Sequence, residues 1–325
     1  MPTITSLRTQ YPAGLIGVDA DPIRLTWQID AQVGTQTRAE IQTSADSEFA
    51  TFDDQREVAG PSQIAVVAPG GPFNSREIRY FRVRSEIDGA WTGWSPACSV
   101  EIGLLDAADW SAKPIGLEGD TGADEMAPAP LLRRTFSTAG PVQSARLYAT
   151  SHGVHDLYLS GSKVGEDLLA PGWSTYGRRL VSCTYDVTEL LSGSTEHVLG
   201  ASLGDGWFRG RLGWERGKSR CRYGTELALL AQLEFIYQDG TTETIGTDST
   251  WVASTGAVQK ADIYDGCEID FNKLQAGWSS VDFDDSAWPP AKSSELDLSL
   301  LEPWISAPIR PFRTLEVSTS AGPDG

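Results

Sequence analysis

The sequence predicts an all-β chain made of two β-sandwich domains. Short runs of alternating apolar and polar residues recur along the chain, and turn residues such as Gly, Pro, Asn and Asp separate them. An apolar pattern with the 3.6-residue period of a helix is never sustained, so we expect no helical domain. The length of 325 residues corresponds to two domains of roughly 150 residues each, and a hydrophobic content of 40% is enough for two ordinary cores.

Residues 1–104 are expected to form the first sandwich. Period-two runs such as 23–29 and 78–87 are separated by turn clusters, which is typical of a small antiparallel sandwich. With Trp27 on an early strand and Tyr80 on a later one, this part resembles an immunoglobulin-like or fibronectin type III-like module. We expect these two residues to provide core packing and a corner hydrogen bond rather than to bind a ligand.

Residues 105–128 are rich in Gly, Asp, Ala and Pro and are expected to form a linker. Strand patterns resume at 129 and continue to 300, which favours a jelly roll of the galactose-binding-like type. The most apolar run, 227–237, could pass for a helix, but the Asp-Gly pair that follows it indicates a β-hairpin with a tight primed turn. We expect residues 301–325 to begin a further, truncated segment.

The charge balance argues against nucleic acid and anionic membrane as partners. The chain has 44 acidic and 26 basic residues, a net charge of −18, whereas binding a polyanion needs a basic face. The four cysteines have no metal-binding spacing, so we expect reduced, mostly buried thiols. We find neither a signal-peptide pattern nor a long apolar window, which predicts a cytoplasmic protein, or an extracellular one if the N-terminus was trimmed.

Several motifs of the second domain closely resemble the N-terminal jelly roll of bacterial α-L-rhamnosidases. They are LAPGWSTY at 169–176, TYDVTELL at 184–191, GDGWFRG at 204–210, YG at 223–224 and DIYDGCEID at 262–270. The first domain is similar to the fibronectin-like module that precedes this jelly roll in many such enzymes. Two departures stand out: Ser160-Gly161 replaces the usual Asn-Gly turn, and Cys267 stands beside Glu268 in the Tyr-Asp-Gly-Glu pattern.

The resemblance implies that catalysis lies outside this chain. In these glycoside hydrolases two glutamates of a helical (α/α)6 barrel hydrolyse terminal α-L-rhamnose with inversion, one as the acid and one as the base that activates water. The chain stops at Gly325, before such a barrel could begin. We therefore expect a non-catalytic N-terminal part, inactive alone, whose partners are a rhamnose-containing glycan or glycoside and the missing C-terminal catalytic domain.

The resemblance also implies that the jelly roll binds rhamnose, with a calcium ion helping to hold the sugar. Carboxylates and arginines bind vicinal hydroxyls, aromatic rings suit the apolar face of the sugar, and calcium prefers oxygen ligands. The predicted sugar-binding residues are Asp205, Trp207, Arg209, Trp173 and Tyr176. The predicted calcium ligands are Asp265, Glu268 and Asp270, close to Asp262.

A structural role is the alternative for each of these groups. Asp205 would cap a tight hairpin in which Gly204 and Gly206 take positive φ, the acids would form a solvated loop, and the aromatic rings would fill the sandwich edge. Two other functions stay open. One is a scaffold packed on the absent barrel, which exposed apolar residues in 303–317 would favour; the other is a glycosidase using two of Asp205, Asp265 and Glu268.

Overall fold

The computed structural model describes residues 2–20, 22–30, 34–120, 122, 126–213, 219–304 and 306–316. The predicted all-β class is confirmed, with an immunoglobulin-like sandwich followed by a second, larger sandwich. Within the described ranges, no helix has the length and apolar character needed to cross a membrane.

The strands of the first domain are β1 (Thr3–Thr9), β2 (Arg24–Asp30), β3 (Gln36–Ser44), β4 (Asp54–Ala59), β5 (Val66–Val67), β6 (Ile78–Ile87), β7 (Ala90–Trp91) and β8 (Cys98–Glu101). They form two antiparallel sheets, ordered β1-β2-β5 and β4-β3-β6-β7, with β8 paired to β6. Trp27 lies in the core between them, where its indole N–H donates to Gln36 and Ser85. Tyr80 is only half-buried, because the alternation of β6 turns its neighbour Phe81 into the core instead.

The strands of the second domain are β9 (Ile115–Gly116), β10 (Pro130–Ser137), β11 (Val142–His152), β12 (Val154–Leu159), β13 (Ser162–Lys163), β14 (Leu180–Asp186), β15 (Glu196–Gly204), β16 (Ala228–Tyr237), β17 (Thr242–Gly246), β18 (Val252–Thr255), β19 (Val258–Asp262), β20 (Gly266–Ile269), β21 (Lys292–Ser293) and β22 (Leu301–Pro303). A sheet ordered β13-β12-β15-β10-β18 packs against one ordered β21-β9-β16-β11-β14-β22, with β17 paired to β16 and a separate hairpin β19-β20.

Short helical turns connect several of these strands. The α-helical turn α1 (Gly206–Arg209) follows β15, and 3-10 turns cover Ala107–Asp109, Glu189–Leu191, Phe271–Lys273 and Leu298–Leu300. The side chains between the two large sheets form one apolar core, which includes Leu132, Leu147, Leu199, Leu229, Leu233 and Trp251.

The jelly-roll sheet extends beyond the boundaries that the sequence suggested. β9 lies inside the expected linker yet pairs with β16, and β22 lies inside the expected next segment yet pairs in parallel with β14. Both strands are only two or three residues long, so their sequences show no alternation of apolar and polar residues that would predict a strand. Residues 317–325 of the expected segment lie outside the described residues.

The hairpin predicted after the most apolar run is present as β16 and β17, but its turn is not of the primed type. Gly240 has φ +83° whereas Asp239 is not in the left-handed region. A primed two-residue turn occurs instead at Ser160-Gly161, between β12 and β13, where φ is +50° and +90°. The Ser-Gly departure therefore keeps the backbone conformation that Asn-Gly usually adopts.

The prediction that the cysteines are mostly buried is wrong. Only Cys183 is buried; Cys98 and Cys221 are half-buried, and Cys267 is exposed. The reason for the last is its position on β20, all of whose residues face solvent.

Bidentate ion pairs join the two domains. Arg146 on β11 donates to both carboxylate oxygens of Glu101 at 2.5 and 2.9 Å. Arg76, just before β6, donates to both oxygens of Glu234 on β16 at 2.7 Å each. Planar two-point contacts of this kind fix orientation as well as distance, so they set how the first sandwich is placed on the jelly roll.

The first prediction concerns the core of the jelly roll. Leu233 is 0% exposed on β16 and Ile236 on the same strand is 42% exposed. Leu233→Ala should lower the free energy of unfolding by about 2–5 kcal/mol, since it leaves a cavity. Ile236→Ala, the control on the same strand, should change it by roughly 0.5 kcal/mol or less. Urea denaturation of both variants measures the difference, and equal losses would contradict this placement of β16.

Candidate functional site

The loop after β15 is built around a glycine that no other residue could replace without a shift. Gly206 has φ +54°, and a Cβ on it would meet Val154 Cγ1 at 2.7 Å. The chain makes the helical turn α1 here rather than the expected hairpin. The turn buries Phe208 and Arg209 and leaves Trp207 half-buried at the surface.

Asp205 and Arg209 belong to a buried ion-pair network rather than to the surface. Asp205 is 2% exposed, and its two oxygens accept from Arg209 Nε at 2.8 Å and from Arg220 Nη2 at 2.7 Å. Arg209, which is fully buried, also donates to Asp120 Oδ2 at 2.6 Å. Burial alone would lower the pKa of Arg209, but the carboxylates of Asp205 and Asp120 raise it overall.

This network corrects the interpretation of Asp205 and Arg209 as sugar ligands. Both side chains are buried and inaccessible to a ligand in solution, and they pair with each other, with Asp120 and with Arg220. The same two residues instead hold the α1 turn in place. The alternative stated from the sequence, a structural role for Asp205 in this turn, is closer to what the structure shows. Asp205 nevertheless makes no helix-capping hydrogen bond with its side chain.

Asp262 ends β19 and organises the hairpin turn that follows. Its carboxylate accepts from the backbone N–H groups of Tyr264 and Asp265 at 2.8 and 3.0 Å. It also accepts from the backbone N–H of Arg211 at 2.7 Å and from Arg220 Nη1 at 3.0 Å. These bonds link the hairpin to the loop that carries α1.

The three acids predicted to bind calcium do not come together. Asp265 pairs with Arg211 at 2.8 Å, Glu268 pairs with Lys260 at 2.6 Å, and Asp270 accepts from the backbone N–H of Asn272 at 3.0 Å. Across the described part of the chain, no group of three or more acid, His or Cys side chains is arranged to hold a metal ion. Because calcium needs six to eight converging oxygens, these residues do not fit that ion.

Two of the predicted aromatic residues form an exposed surface. The indole rings of Trp173 and Trp207 are parallel, 3° apart with centroids separated by 6.1 Å, and Trp173 is 56% exposed. Trp173 Nε1 donates to the Tyr223 hydroxyl at 3.4 Å. We call Trp173, Trp207 and Tyr223 the aromatic platform.

Tyr176 supports this platform from below instead of forming part of it. It is buried, its hydroxyl donates to the Gly172 carbonyl at 3.1 Å, and its ring contacts Phe208 and Tyr223. Burial raises its pKa. Tyr176 thereby connects the loop that carries Trp173 to α1, which carries Trp207.

Tyr223 is the platform residue that the sequence did not single out as a binding residue. A local signal was available, because Tyr223 is followed by Gly224, and Trp173 and Trp207 likewise stand directly beside a glycine. A Cβ on Gly224 would meet Phe208 Cζ at 2.4 Å, so the glycine lets the Tyr223 loop approach α1.

The fold and this surface define a class: a two-domain all-β chain in which an immunoglobulin-like sandwich precedes a jelly roll with exposed aromatic rings. The model of the Rha78A-like N-terminal immunoglobulin domain matches residues 4–106, and that of the alpha-L-rhamnosidase N-terminal domain matches residues 140–313. The chain therefore belongs to the α-L-rhamnosidase family, as an N-terminal region, and the resemblance seen in its motifs is confirmed.

Relatives named α-L-rhamnosidase match this chain over part of their own length. The protein from Alteromonas sp. (strain LOR) is 32% identical over 308 residues, which is 90% of this chain and 33% of that protein. The protein from Formosa agariphila is 34% identical over 259 residues, 77% of this chain and 28% of that one. The chain thus spans a third or less of these curated relatives.

Solved structures agree with this fold. The native α-L-rhamnosidase of Aspergillus terreus matches with a TM-score of 0.86 and 32% identity, over 95% of this chain and 36% of that one. The α-L-rhamnosidase of Streptomyces avermitilis, solved in complex with L-rhamnose, has the same fold with a TM-score of 0.86 and 21% identity, over 95% and 47% of the two chains.

The second prediction separates a buried structural carboxylate from a surface one. Asp205→Ala should lower the free energy of unfolding by about 3–5 kcal/mol, because it removes one of the two carboxylates that pair with buried Arg209 and also removes a partner of Arg220. Asp265→Ala should cost less than about 1 kcal/mol, since its pair with Arg211 is partly exposed. Chemical denaturation of both variants tests this, and a stable Asp205→Ala protein would contradict the structural role.

Proposed function

We propose that this chain is the non-catalytic N-terminal region of an α-L-rhamnosidase and that its jelly roll binds the rhamnose unit of a glycan or glycoside on the aromatic platform. The observation that carries this proposal is the exposure of Trp173 beside the parallel ring of Trp207. An indole ring that is 56% exposed and lies parallel to a second indole offers a contiguous apolar face that is suited to a ligand.

The chemistry of the surroundings fits a deoxy sugar. Trp173 also lines a cavity of about 420 Å³ with Arg179 and Trp304, which is closed on one side by residues 306–309. Indole faces suit the C–H groups and the methyl group of rhamnose, while the guanidinium of Arg179 and the hydroxyl of Tyr223 are donors for sugar hydroxyls. The volume lies within the usual range of small-molecule sites.

The alternative that this chain hydrolyses glycosides by itself finds no support in its carboxylates. Asp205, Asp265 and Glu268 each pair with an arginine or a lysine. Asp205 is also buried, whereas inverting hydrolysis needs two carboxyl groups that reach the scissile bond from opposite faces of the sugar. We therefore place the reaction of the whole enzyme outside this chain.

A second candidate function, support of the catalytic part, is favoured by the segment 306–316. Its apolar side chains face solvent, with Phe312 at 98% exposure and Ile309 and Leu315 also exposed. The segment is nevertheless anchored, because Arg310 Nε donates to Asp167 at 2.5 Å and the Leu168 N–H donates to the Ile309 carbonyl at 2.9 Å. A held segment that exposes apolar groups is suited to contact another domain.

The third prediction tests the platform directly. Trp173→Ala should weaken binding of methyl α-L-rhamnoside at least about tenfold, the effect of losing one stacking surface worth roughly 1.4 kcal/mol. Phe271→Ala, at an aromatic residue that is 75% exposed on another loop, is the matched control and should leave affinity unchanged. Isothermal calorimetry measures both. Equal affinities of Trp173→Ala and the unsubstituted chain would exclude the platform as the site.

The fourth prediction tests the scaffold candidate. Phe312→Ser should leave the Tm of the 325-residue chain unchanged, because the Phe312 side chain is already exposed to solvent in the folded state. In a longer protein that carries the catalytic part, the same substitution should lower Tm by about 2–4 °C for each kcal/mol of lost contact. Calorimetric melting of both proteins checks this, and an equal Tm in the longer protein with and without the substitution would count against the contact.

A further inference from the structure

A second concave surface adjoins the aromatic platform on the far side of Tyr223. It is a groove of about 680 Å³ between the loop after Trp173, the loop that carries α1 and the segment before β22. Its lining combines aliphatic side chains with rings and carboxylates, and the rings and carboxylates are those of His152, Tyr176, Phe208, Tyr223, Glu295 and Asp297.

One wall of the groove is an array of rings. Tyr176 contacts Tyr223 with centroids 5.0 Å apart and Phe208 at 5.2 Å, and His152 stacks on Phe208 at 4.2 Å with planes 12° apart. Burial lowers the pKa of His152 to about 4. At neutral pH its imidazole is therefore uncharged and presents one nitrogen as a donor and the other as an acceptor.

The charge of the groove limits what can bind there. Glu295 and Asp297 line it, and its described lining residues include neither a lysine nor an arginine. Asp297 Oδ1 already accepts from the backbone N–H and the hydroxyl of Ser299, so its second oxygen and the exposed Glu295 are the carboxylate acceptors that face solvent. Such a groove repels an anionic ligand and accepts hydroxyl donors.

We propose that this groove is a second subsite, which binds a neutral sugar unit linked to the unit on the aromatic platform. Tyr223 joins the two surfaces, since its hydroxyl accepts from Trp173 Nε1 and its ring lies in the groove. A neutral sugar supplies a C–H face for the half-buried ring of Tyr223 and hydroxyls for Glu295 and His152. This inference rests on the proposed function of the platform and extends it from one sugar to a chain of at least two.

Gly177 offers a way to fill the groove without disturbing the fold. It lines the groove and is exposed, its φ lies outside the left-handed region, and a Cβ built on it has no neighbour within 4 Å. Gly140 also has a φ outside the left-handed region and no neighbour within 4 Å of a built Cβ, so it is the matched control. It precedes β11, and His152 of the groove ends that eleven-residue strand, which places Gly140 roughly 30 Å away.

The experiment compares a single sugar with a neutral disaccharide by calorimetry, using methyl α-L-rhamnoside and α-L-rhamnosyl-(1→6)-D-glucose. The unsubstituted chain should bind the disaccharide about tenfold more tightly. Gly177→Gln should abolish that gain and leave the affinity for the single sugar unchanged, while Gly140→Gln should retain the gain.

The outcomes separate this inference from the proposal on which it rests. If the single sugar binds but the disaccharide gains nothing, or if Gly177→Gln keeps the gain, the second subsite is overturned and the platform stands. If neither sugar binds, both fail.

A charged disaccharide tests the choice of a neutral ligand. The unsubstituted chain should bind α-L-rhamnosyl-(1→4)-D-glucuronate more weakly than the neutral disaccharide, and Glu295→Gln should narrow that difference. Equal or tighter binding of the glucuronate by the unsubstituted chain would overturn the assignment to neutral sugars.

Discussion

The buried ion pairs of Arg209 are the interaction on which the site depends. Arg209 joins Asp205 on its own loop to Asp120, which lies 89 residues earlier in the chain. Arg220 extends the network from Asp205 to Asp262 at the end of β19. Three separate segments thus meet at one cluster of charges, and α1 is held between them.

Such a cluster is more a device for orientation than a source of stability. Ionised groups lose hydration when they are buried, and their mutual attraction compensates only where the geometry is good. Among the residues that the structure describes, this compensation is incomplete, because Arg209 Nη2, Asp120 Oδ1 and Arg220 Nε are buried and have no hydrogen-bond partner there. The network fixes the position of α1, and α1 places Trp207 at the surface and Phe208 beneath it.

Contacts between aromatic residues connect the buried ion pairs to the surface. Phe208 is buried and contacts both Tyr176 and the imidazole of His152. Tyr176 in turn touches Tyr223, whose hydroxyl meets Trp173. The platform and the groove therefore have a common support, which explains why two surfaces of different chemistry are adjacent.

The sequence predicted the fold class because alternation along long strands is a local property. The β16 hairpin could be inferred, since an apolar run, an Asp-Gly pair and an alternating run follow one another directly. The two- and three-residue strands β9 and β22 could not, because their pairing is decided by partners more than a hundred residues away.

The site could be predicted only in part for the same reason. Trp173 and Trp207 can be recognised from the local sequence, because each is a large aromatic residue beside a glycine, and both belong to the aromatic platform. Asp205 and Arg209 carry the residue types of a sugar site, but Asp120 and Arg220 determine their burial, and neither is a sequence neighbour. Charged residues beside an aromatic ring in a glycine-rich loop are thus ambiguous until their partners are known.

The two proposed roles of the chain, sugar binding and support of the catalytic part, involve neighbouring residues. The cavity beside Trp173 is lined on its other side by residues 306–309, the start of the segment that exposes Phe312. That segment is held by Asp167 and Leu168, which directly precede the loop of Trp173. A sugar in this cavity would touch the platform and the anchored segment together, so its binding would also stabilise the position of the segment. Recognition of a sugar and support of a neighbouring domain are therefore compatible in this architecture, because the same few residues hold the walls of the cavity and the segment that leaves it.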